Sequence, residues 1–296
     1  MPVEAIWQQI DQRYDGFPPQ LRRAARYVRD HPQDVALNSL RAIAGKAGVS
    51  PTSMTRLMQA LKFENFDEFQ EQHRRWLTHG KAAIFSRRAG ELIDVVRTPA
   101  AEDLLVADFL SAEKANLDAA LAPHRLKALK RAAEIVAAAP GVAVAGLRSC
   151  FPVAFSLHYA LSLFIPRTWL MMGSGGSFLD DLYHVGKGDV FVVVSVAPYS
   201  RDIVEAARHM ADRGVDVIAI TDGNLTPIAR LASVVLVAEN ASPAHIASPI
   251  GPIAVAQALA LLTLARAGPA ALEALRHRET VLAATHAYLD EDEVPA

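Results

Sequence analysis

Groups that could bind an anion follow two of the apolar segments in the second half of the chain. One set lies in Gly146–Cys150 and the other in Ser195–Asp202, and each leads into a segment of helical periodicity. Backbone amides at a helix N-terminus attract anions, and Arg148 and Arg201 could add charge. Ordinary helix capping would explain the serine of either loop taken alone. Serine-containing loops after two strands of one sheet favour a ligand site as the alternative. The candidate ligand-binding residues are Arg148, Ser149, Ser195, Tyr199 and Ser200.

A second set of polar side chains lies within Ser39–Lys62, which has the pattern of two short helices around a tight turn. Gly48 suits the end of the first helix, while Ser50 and Pro51 suit the start of the second. The apolar stripe of the second helix is Met54, Leu57, Met58 and Leu61. The side chains facing away from it favour a helix-turn-helix that reads a DNA major groove, over a helical hairpin buried in a core. The candidate DNA-binding residues are Ser50, Thr52, Ser53, Thr55, Arg56 and Gln59.

Other chemistries have less support. Gly173–Gly176 fails as a dinucleotide fingerprint because position 178 is Phe where that motif needs Gly, and no GxxxxGK[ST] motif occurs. The ten histidines are scattered without metal-ligand spacing, so the sequence predicts neither a metal nor a cofactor. Cys150 stands at a predicted helix start, where the dipole would lower the pKa of its thiol. Because no partner base lies nearby in sequence, we interpret Cys150 as structural or pocket-lining.

The elements that must position these residues differ between the two halves. Residues 1–77 have all-helical periodicity, whereas five apolar segments alternate with helical ones after residue 140. The predicted strands are 142–146, 168–172, 189–195, 215–221 and 233–237, and the predicted helices between and after them are 151–165, 174–185, 201–213 and 249–267. Strands that are apolar on both faces and separated by helices predict a parallel sheet covered on both sides. Ligands bind such sheets at the carboxyl ends of the strands, where the strand order reverses.

Composition narrows the class of protein. The 296 residues are 51% hydrophobic and 21% charged, which indicates folded domains, and the length suggests about two. One cysteine excludes internal disulfides, and we expect a cytoplasmic protein without a secretory signal or a membrane span. Between Arg13 and Lys62, nine Lys and Arg stand against three Asp and Glu, whereas residues 290–293 are all acidic. A local excess of six positive charges is typical of phosphate contacts with DNA, although a solvated helix face has the same composition.

The two halves together resemble a known family. The segment LRAIAGKAGVSPTSMTRLMQALKFENFDEFQ is similar to the helix-turn-helix of RpiR-type bacterial transcription regulators. Residues from about 111 to 268 resemble the SIS (sugar isomerase) domain of such regulators, through Gly146–Ser149, Ser195–Asp202 and the VDVIAITD segment with its NLTPIARLASVVL continuation. The resemblance implies an α/β/α sandwich with a five-stranded parallel sheet. It also implies an effector-sensing role for the second half.

The resemblance is incomplete at the loop after the third strand, where SIS domains carry Ser-x-Ser-Gly-x-Thr. Ser195 matches the first Ser, and Ser200 occupies the Thr position. Ala197 and Pro198 replace the middle Ser and the Gly, which removes one hydroxyl and one amide donor. The usual binding of a phosphosugar is therefore implied only in part. Tyr199 offers a phenol and a stacking face in compensation, and a non-phosphorylated or acidic effector stays open.

These observations predict four regions: a helix-turn-helix DNA-binding domain (1–77), a linker and connecting helix (78–110), a SIS effector-binding domain (111–268), and a C-terminal helix with an acidic tail (269–296). We expect a non-enzymatic transcription regulator that binds a palindromic duplex operator as a homodimer or homotetramer and senses a phosphosugar or sugar acid. The alternatives are a sugar-phosphate isomerase, with Glu205 or His245 as base, and a scaffold that binds other proteins. The operator, the effector and the sign of regulation are not readable from the sequence.

Overall fold

The computed structural model describes residues 3–79, 84–95, 99–173 and 178–288, and these form two compact units. The first unit comprises the described residues up to Leu104, together with Gly223–Thr226 and Ala244–Ile246. The second unit comprises Leu105–Asp222, Pro227–Pro243 and the described residues from Ala247 onward. The helical half and the sheet-forming half of the sequence therefore supply most of one unit each.

The N-terminal part of the chain is helical, as its periodicity predicts. Its helices are α1 (Val3–Arg13), α2 (Pro19–Asp30), α3 (Pro32–Leu37), α4 (Leu40–Lys46), α5 (Pro51–Ala60), α6 (Phe66–His79) and α7 (Ile84–Val95). Prolines begin α2, α3 and α5. A backbone N–H at the first helical position would have no intrahelical acceptor, so its absence in proline breaks no hydrogen bond. The α7 helix lies within the predicted linker. Its Phe85 and Ile93 are exposed.

The core of the helical unit is built around α5. Met54, Leu57 and Leu61 are fully buried, which confirms the predicted apolar stripe. The buried side chain of Gln70 on α6 has specific partners in this unit. The Nε2 of Gln70 donates to the carbonyl oxygens of Val35 and Asn38, at 3.0 and 2.7 Å, and so satisfies the end of α3.

A buried histidine makes this core sensitive to acid. His73 on α6 is fully buried with its Nδ1 2.9 Å from the carbonyl oxygen of Phe69, and burial lowers its pKa from 6.5 to about 4. Between those two pH values the unfolded chain binds more protons than the folded chain. The contribution of neutral His73 to the free energy of unfolding is therefore fully present above pH 6.5 and is lost as the pH falls toward 4. We expect the free energy of unfolding to fall by about 2 kcal/mol between pH 7 and pH 5 from this group alone.

Denaturant unfolding of the wild type and of His73→Leu, followed by tryptophan fluorescence at both pH values, measures that difference. The variant has no imidazole to protonate at this position and should show a smaller loss of stability on acidification. An equal acid response in the two proteins would contradict the assignment to His73.

The second unit is an α/β/α sandwich around one sheet, as predicted. Its five parallel strands are β1 (Val142–Gly146), β2 (Thr168–Met171), β3 (Val190–Val194), β4 (Asp216–Thr221) and β5 (Val234–Val237), in the order β2-β1-β3-β4-β5. The chain moves one way from β1 to β2 and the other way from β3 onward. The strand order therefore reverses between β1 and β3, whose register places Gly146 opposite Val194.

Helices cover both faces of this sheet. They are α9 (Leu126–Ala138), α10 (Phe151–Ser162), α11 (Arg201–Asp212) and α12 (Ile250–Ala284). The preceding helix, α8 (Pro99–Ala120), is exposed over most of its length and joins this core through Ala120. Alternate residues of each strand face opposite layers: Val192 packs with the cluster that includes residues of α9, α10 and α12, and Phe191 packs with the cluster that includes residues of α11. Apolar strands with two buried faces are the pattern from which the sheet was predicted.

The α12 helix is long and apolar enough to cross a membrane by length and composition alone. In this structure, its residues Val255, Ala256 and Leu259 are buried in the core cluster of the sheet unit. Gly268, with φ 68° and ψ −154°, interrupts the helix ahead of Pro269. This packing is that of a core helix in a globular domain.

One predicted helix differs from the structure. Within 174–185, residues 174–177 lie outside the described part, and the remainder contains a 3₁₀ turn, Asp180–His184. Phe178, Leu182 and Val185 are buried, so the apolar spacing that suggested a helix reflects packing against the sheet. A segment this short, bounded by Gly186, gains little from helical hydrogen bonding.

Candidate DNA-reading helix and ligand site

The α4–turn–α5 segment has the local chemistry of a helix-turn-helix. The Oγ of Ser39 accepts from the amide of Ala42 at 3.4 Å, and the Oγ of Ser50 accepts from the amide of Ser53 at 3.1 Å, so each helix carries an N-terminal cap. Gly48 adopts φ +66° in the turn, a conformation that costs a residue with a side chain more. Half-buried Val49 packs against the core of this unit.

The structure divides the six predicted DNA-binding residues into two groups. Ser50, Ser53 and Thr55 have hydroxyls engaged within the helix: the Ser50 and Ser53 oxygens lie 3.0 Å apart, and Thr55 donates to the carbonyl oxygen of Pro51 at 3.1 Å. The other three residues, Thr52, Arg56 and Gln59, are exposed. They follow one another at intervals of four and three residues and so share one helix face. This face is the surface that could enter a groove.

The two loops predicted to bind a ligand lie side by side at the reversal of strand order. One follows β1 and begins α10, and the other follows β3 and begins α11. Arg148 and Ser149 are exposed in the first loop, and Arg148 has a positive φ of 57°. In the second loop Ser195 is almost fully buried, whereas Tyr199 and Ser200 are half-buried. The fold thus brings all five predicted residues to one edge of the sheet.

Close packing at the end of β1 fixes the first of these loops. A Cβ on Gly146 would lie 2.7 Å from the carbonyl oxygen of Cys150 and 2.9 Å from the Cβ of Ala154. Real Cβ atoms do not approach that closely, so the start of α10 sits where only glycine allows it. The position of Arg148 and Ser149 therefore depends on Gly146.

The expectation of a lowered thiol pKa at Cys150 is wrong. Burial raises the pKa of the Cys150 thiol, with a further increase from the Asp222 carboxylate, against the lowering effect of a hydrogen bond to the Val196 backbone. Burial destabilises the charged thiolate by more than the N-terminus of α10 stabilises it. Cys150 is a buried free thiol that contacts the neighbouring loop.

Asp222, at the end of β4, joins this site although the sequence analysis did not select it. Its Oδ2 accepts from the backbone N–H of Ala197 at 3.2 Å, and its Oδ1 accepts from the hydroxyl of Tyr199 at 2.9 Å. The Thr221 hydroxyl has one proton, which it gives to the carbonyl oxygen of Ser195 at 2.7 Å. The signal for Asp222 was its place directly after a buried strand.

Polar contacts tie the segment that follows β5 to α8 and to Arg125, the residue that precedes α9. The side chain of Asn116 on α8 makes a pair of hydrogen bonds with the backbone of Ala241, at 2.8 and 3.1 Å. Glu113 accepts from Asn116 at 3.0 Å and from the Ser248 hydroxyl at 2.7 Å. Arg125 pairs with the Glu239 carboxylate through both of its terminal nitrogens. These contacts restrain the conformation of the segment that follows β5.

The residues considered for acid–base chemistry do not join this site. Glu205 is exposed on α11 with its carboxylate 3.4 Å from a terminal nitrogen of Arg208, and His245 is exposed. Among the described residues, no group of three or more His, Cys, Asp or Glu side chains is placed to hold a metal ion.

Comparison with known families accounts for both units. Residues 5–74 match the helix-turn-helix domain of the rpiR family, and residues 135–266 match the SIS domain. The chain belongs to the RpiR family. As in the resemblance drawn from the sequence, an RpiR helix-turn-helix precedes a SIS domain.

Curated relatives of this RpiR-type chain include regulators and longer proteins. The chain is 24% identical to the HTH-type transcriptional regulator HexR of Pseudomonas aeruginosa over 242 residues, which is 79% of each protein. It is 27% identical to the bifunctional protein glk of Paraburkholderia xenovorans over 237 residues. That match covers 78% of this chain and 35% of the relative, so the chain spans about a third of the length of the glk proteins.

Solved structures resemble the fold. The sugar isomerase domain of an RpiR transcription factor from Sphaerobacter thermophilus is 32% identical, with a TM-score of 0.55 over 60% of this chain and 98% of that one. The NanR protein of Vibrio vulnificus, solved with ManNAc-6P, is 18% identical, with a TM-score of 0.54 over 95% of this chain and 98% of that one. The second likeness concerns the fold alone.

Proposed function

We propose that this RpiR-type chain is a ligand-responsive transcription regulator. Its α5 helix reads a duplex operator, and its SIS domain senses a sugar phosphate or a related carbohydrate-derived metabolite. The observation that carries the proposal is the exposed face of Thr52, Arg56 and Gln59 in a chain that also places five polar loop residues at the switch point of a SIS sheet. The relationship to HexR supports it.

The proposal assigns a role to each region. Residues 1–77 bind DNA, 78–110 connect, 111–268 bind the effector, and 269–296 form the C-terminal helix and tail. The protein acts in the cytoplasm without catalytic activity, as a homodimer or homotetramer on a palindromic site. A single helix reads only a few base pairs, and a symmetric pair doubles the length of the site.

The test uses the full-length protein and duplexes that it enriches from a random-sequence pool. Fluorescence anisotropy measures DNA affinity with and without each ligand of a panel of sugars, sugar phosphates and sugar acids, and thermal shift measures ligand binding independently. The expected result is sequence-selective binding whose affinity changes with at least one ligand. Binding without sequence preference, or turnover of a sugar phosphate in a coupled isomerase assay, would overturn the proposal.

Removing the two serine hydroxyls of the β3 loop should blunt the effector response. Ser200 occupies the N-cap position of α11, where its side chain makes no capping hydrogen bond, so its hydroxyl is not committed to the helix. We expect Ser195→Ala with Ser200→Ala to shift the ligand dose–response of DNA binding by about tenfold or more, with DNA affinity unchanged in the absence of ligand.

The matched control is Ser162→Ala, at the far end of α10, whose hydroxyl donates to the carbonyl oxygen of Tyr159. This variant removes a hydroxyl from the opposite edge of the sheet and should retain the wild-type dose–response. A wild-type curve from the double variant would exclude these serines from the effector site.

A further inference from the structure

The hydrogen-bond donors of the loop Ser195–Ser200 already serve an anion that belongs to the chain. The Asp222 carboxylate accepts from the Ala197 amide and the Tyr199 hydroxyl. Pro198 between them has no N–H to offer. An incoming anion would have to break two hydrogen bonds to a carboxylate, which are stronger than bonds between neutral groups.

The charge of Asp222 also opposes a second anion at the same place. A phosphate held by the Ala197 amide or the Tyr199 hydroxyl would lie next to the carboxylate that those groups now hold. Asp222 is half-buried, so water screens this repulsion less than it would at an exposed position.

What the site offers instead is acceptors and hydroxyl groups. A carboxylate has about four lone-pair positions, and the two donors of the loop use only part of them. The Ser200 hydroxyl is not engaged in capping α11. Acceptors of this kind suit the hydroxyl groups of a sugar.

We propose that Asp222 is a specificity-determining residue of the effector site: it excludes a phosphate ester from the β3 loop and selects an unphosphorylated, hydroxyl-bearing sugar. This inference rests on the proposed function and narrows the class of effector. Neutralising Asp222 while keeping its shape should reverse the preference.

The experiment compares the full-length wild type with Asp222→Asn by isothermal calorimetry. The probes are inorganic phosphate, and glucose, fructose and N-acetylmannosamine, each beside its 6-phosphate. For the wild type we expect heat from an unphosphorylated sugar and about tenfold weaker binding of its phosphate ester. For Asp222→Asn we expect about tenfold tighter binding of inorganic phosphate and weaker binding of the sugar. Asp212→Asn, which removes an exposed carboxylate from the last turn of α11, should behave as the wild type.

Tighter binding of a phosphate ester than of its sugar by the wild type would overturn the inference, and this comparison holds even if Asp222→Asn does not fold. If no sugar in the panel binds, the affinity of Asp222→Asn for inorganic phosphate is the deciding measurement. An affinity equal to that of the wild type would then overturn the inference.

Operator affinity measured on the same samples separates the two proposals. A ligand that binds with the expected selectivity and leaves DNA affinity unchanged would contradict the proposed function alone, whereas a DNA response to phosphate esters that Asp222→Asn does not alter would contradict only the inference.

Discussion

Arg56→Ala combined with Thr52→Ala should abolish specific operator binding while the fold is retained. Both side chains are exposed on the same face of α5, so their removal leaves the buried stripe of that helix intact. An arginine bidentate to guanine contributes about 1–3 kcal/mol of discrimination, and a symmetric dimer loses it twice. We therefore expect specific affinity to fall by about a hundredfold or more. Anisotropy against the selected duplex, with a scrambled duplex beside it, measures the loss.

The matched control for this variant is Arg131→Ala with Thr280→Ala. It removes the same two residue types from exposed positions on α9 and α12 and should bind the selected duplex as the wild type does. An unchanged melting temperature in both double variants would show that the helices remain folded. Wild-type footprints from the Arg56 and Thr52 variant would exclude α5 as the reading helix.

Gly251→Ala should destabilise the sheet unit more than any surface substitution. A Cβ at Gly251 in the first turn of α12 would lie 2.1 Å from the carbonyl oxygen of Glu239, and that backbone is not free to move. Arg125 holds the Glu239 side chain, and Asn116 holds Ala241 two residues later. Overpacking against fixed backbone costs about 1–3 kcal/mol and occasionally more, so we expect a loss of about 3 kcal/mol in the free energy of unfolding.

Scanning calorimetry should show this loss as a fall of roughly 10 °C in the melting temperature of the unit. The control is Gly90→Ala in α7, where an added Cβ would meet nothing within 4 Å. Alanine favours a helix over glycine by about 0.5–1 kcal/mol, so this control should be neutral or slightly stabilising. Equal melting temperatures for Gly251→Ala and the wild type would show that the segment after β5 yields more easily than its contacts indicate.

The secondary structure of this chain followed from local chemistry. All five strands begin and end within one residue of their predicted bounds, because a buried parallel strand needs a continuous apolar run and the flanking polar residues end it. The turn between α4 and α5 was equally readable, since Gly48 and Ser50 have backbone roles that few other residues fill. The bounds of α7, within the predicted linker and connecting helix, were not predicted because Gly90 and mixed charge weaken the periodicity of this segment.

The candidate sites were predictable in outline only. Six polar residues around α5 were selected by their types, and the structure separates Thr52, Arg56 and Gln59 from the three whose hydroxyls bond within the helix. That separation depends on side-chain hydrogen bonds that residue types do not fix. Cys150 shows the same limit. Its helix-start position suggested a lowered pKa, and burial beneath the neighbouring loop raises it.

By itself, the sequence determined that an RpiR helix-turn-helix precedes a SIS sheet and that the β3 loop lacks a hydroxyl and an amide of the family pattern. Only the tertiary structure decided what replaces them. Asp222 lies 25 residues beyond Ala197 and directly after the next strand, so nothing local in the sequence connects the two. The parallel register of β3 and β4 places the ends of both strands at one edge of the sheet, and a carboxylate there finds the donors that the altered loop still offers.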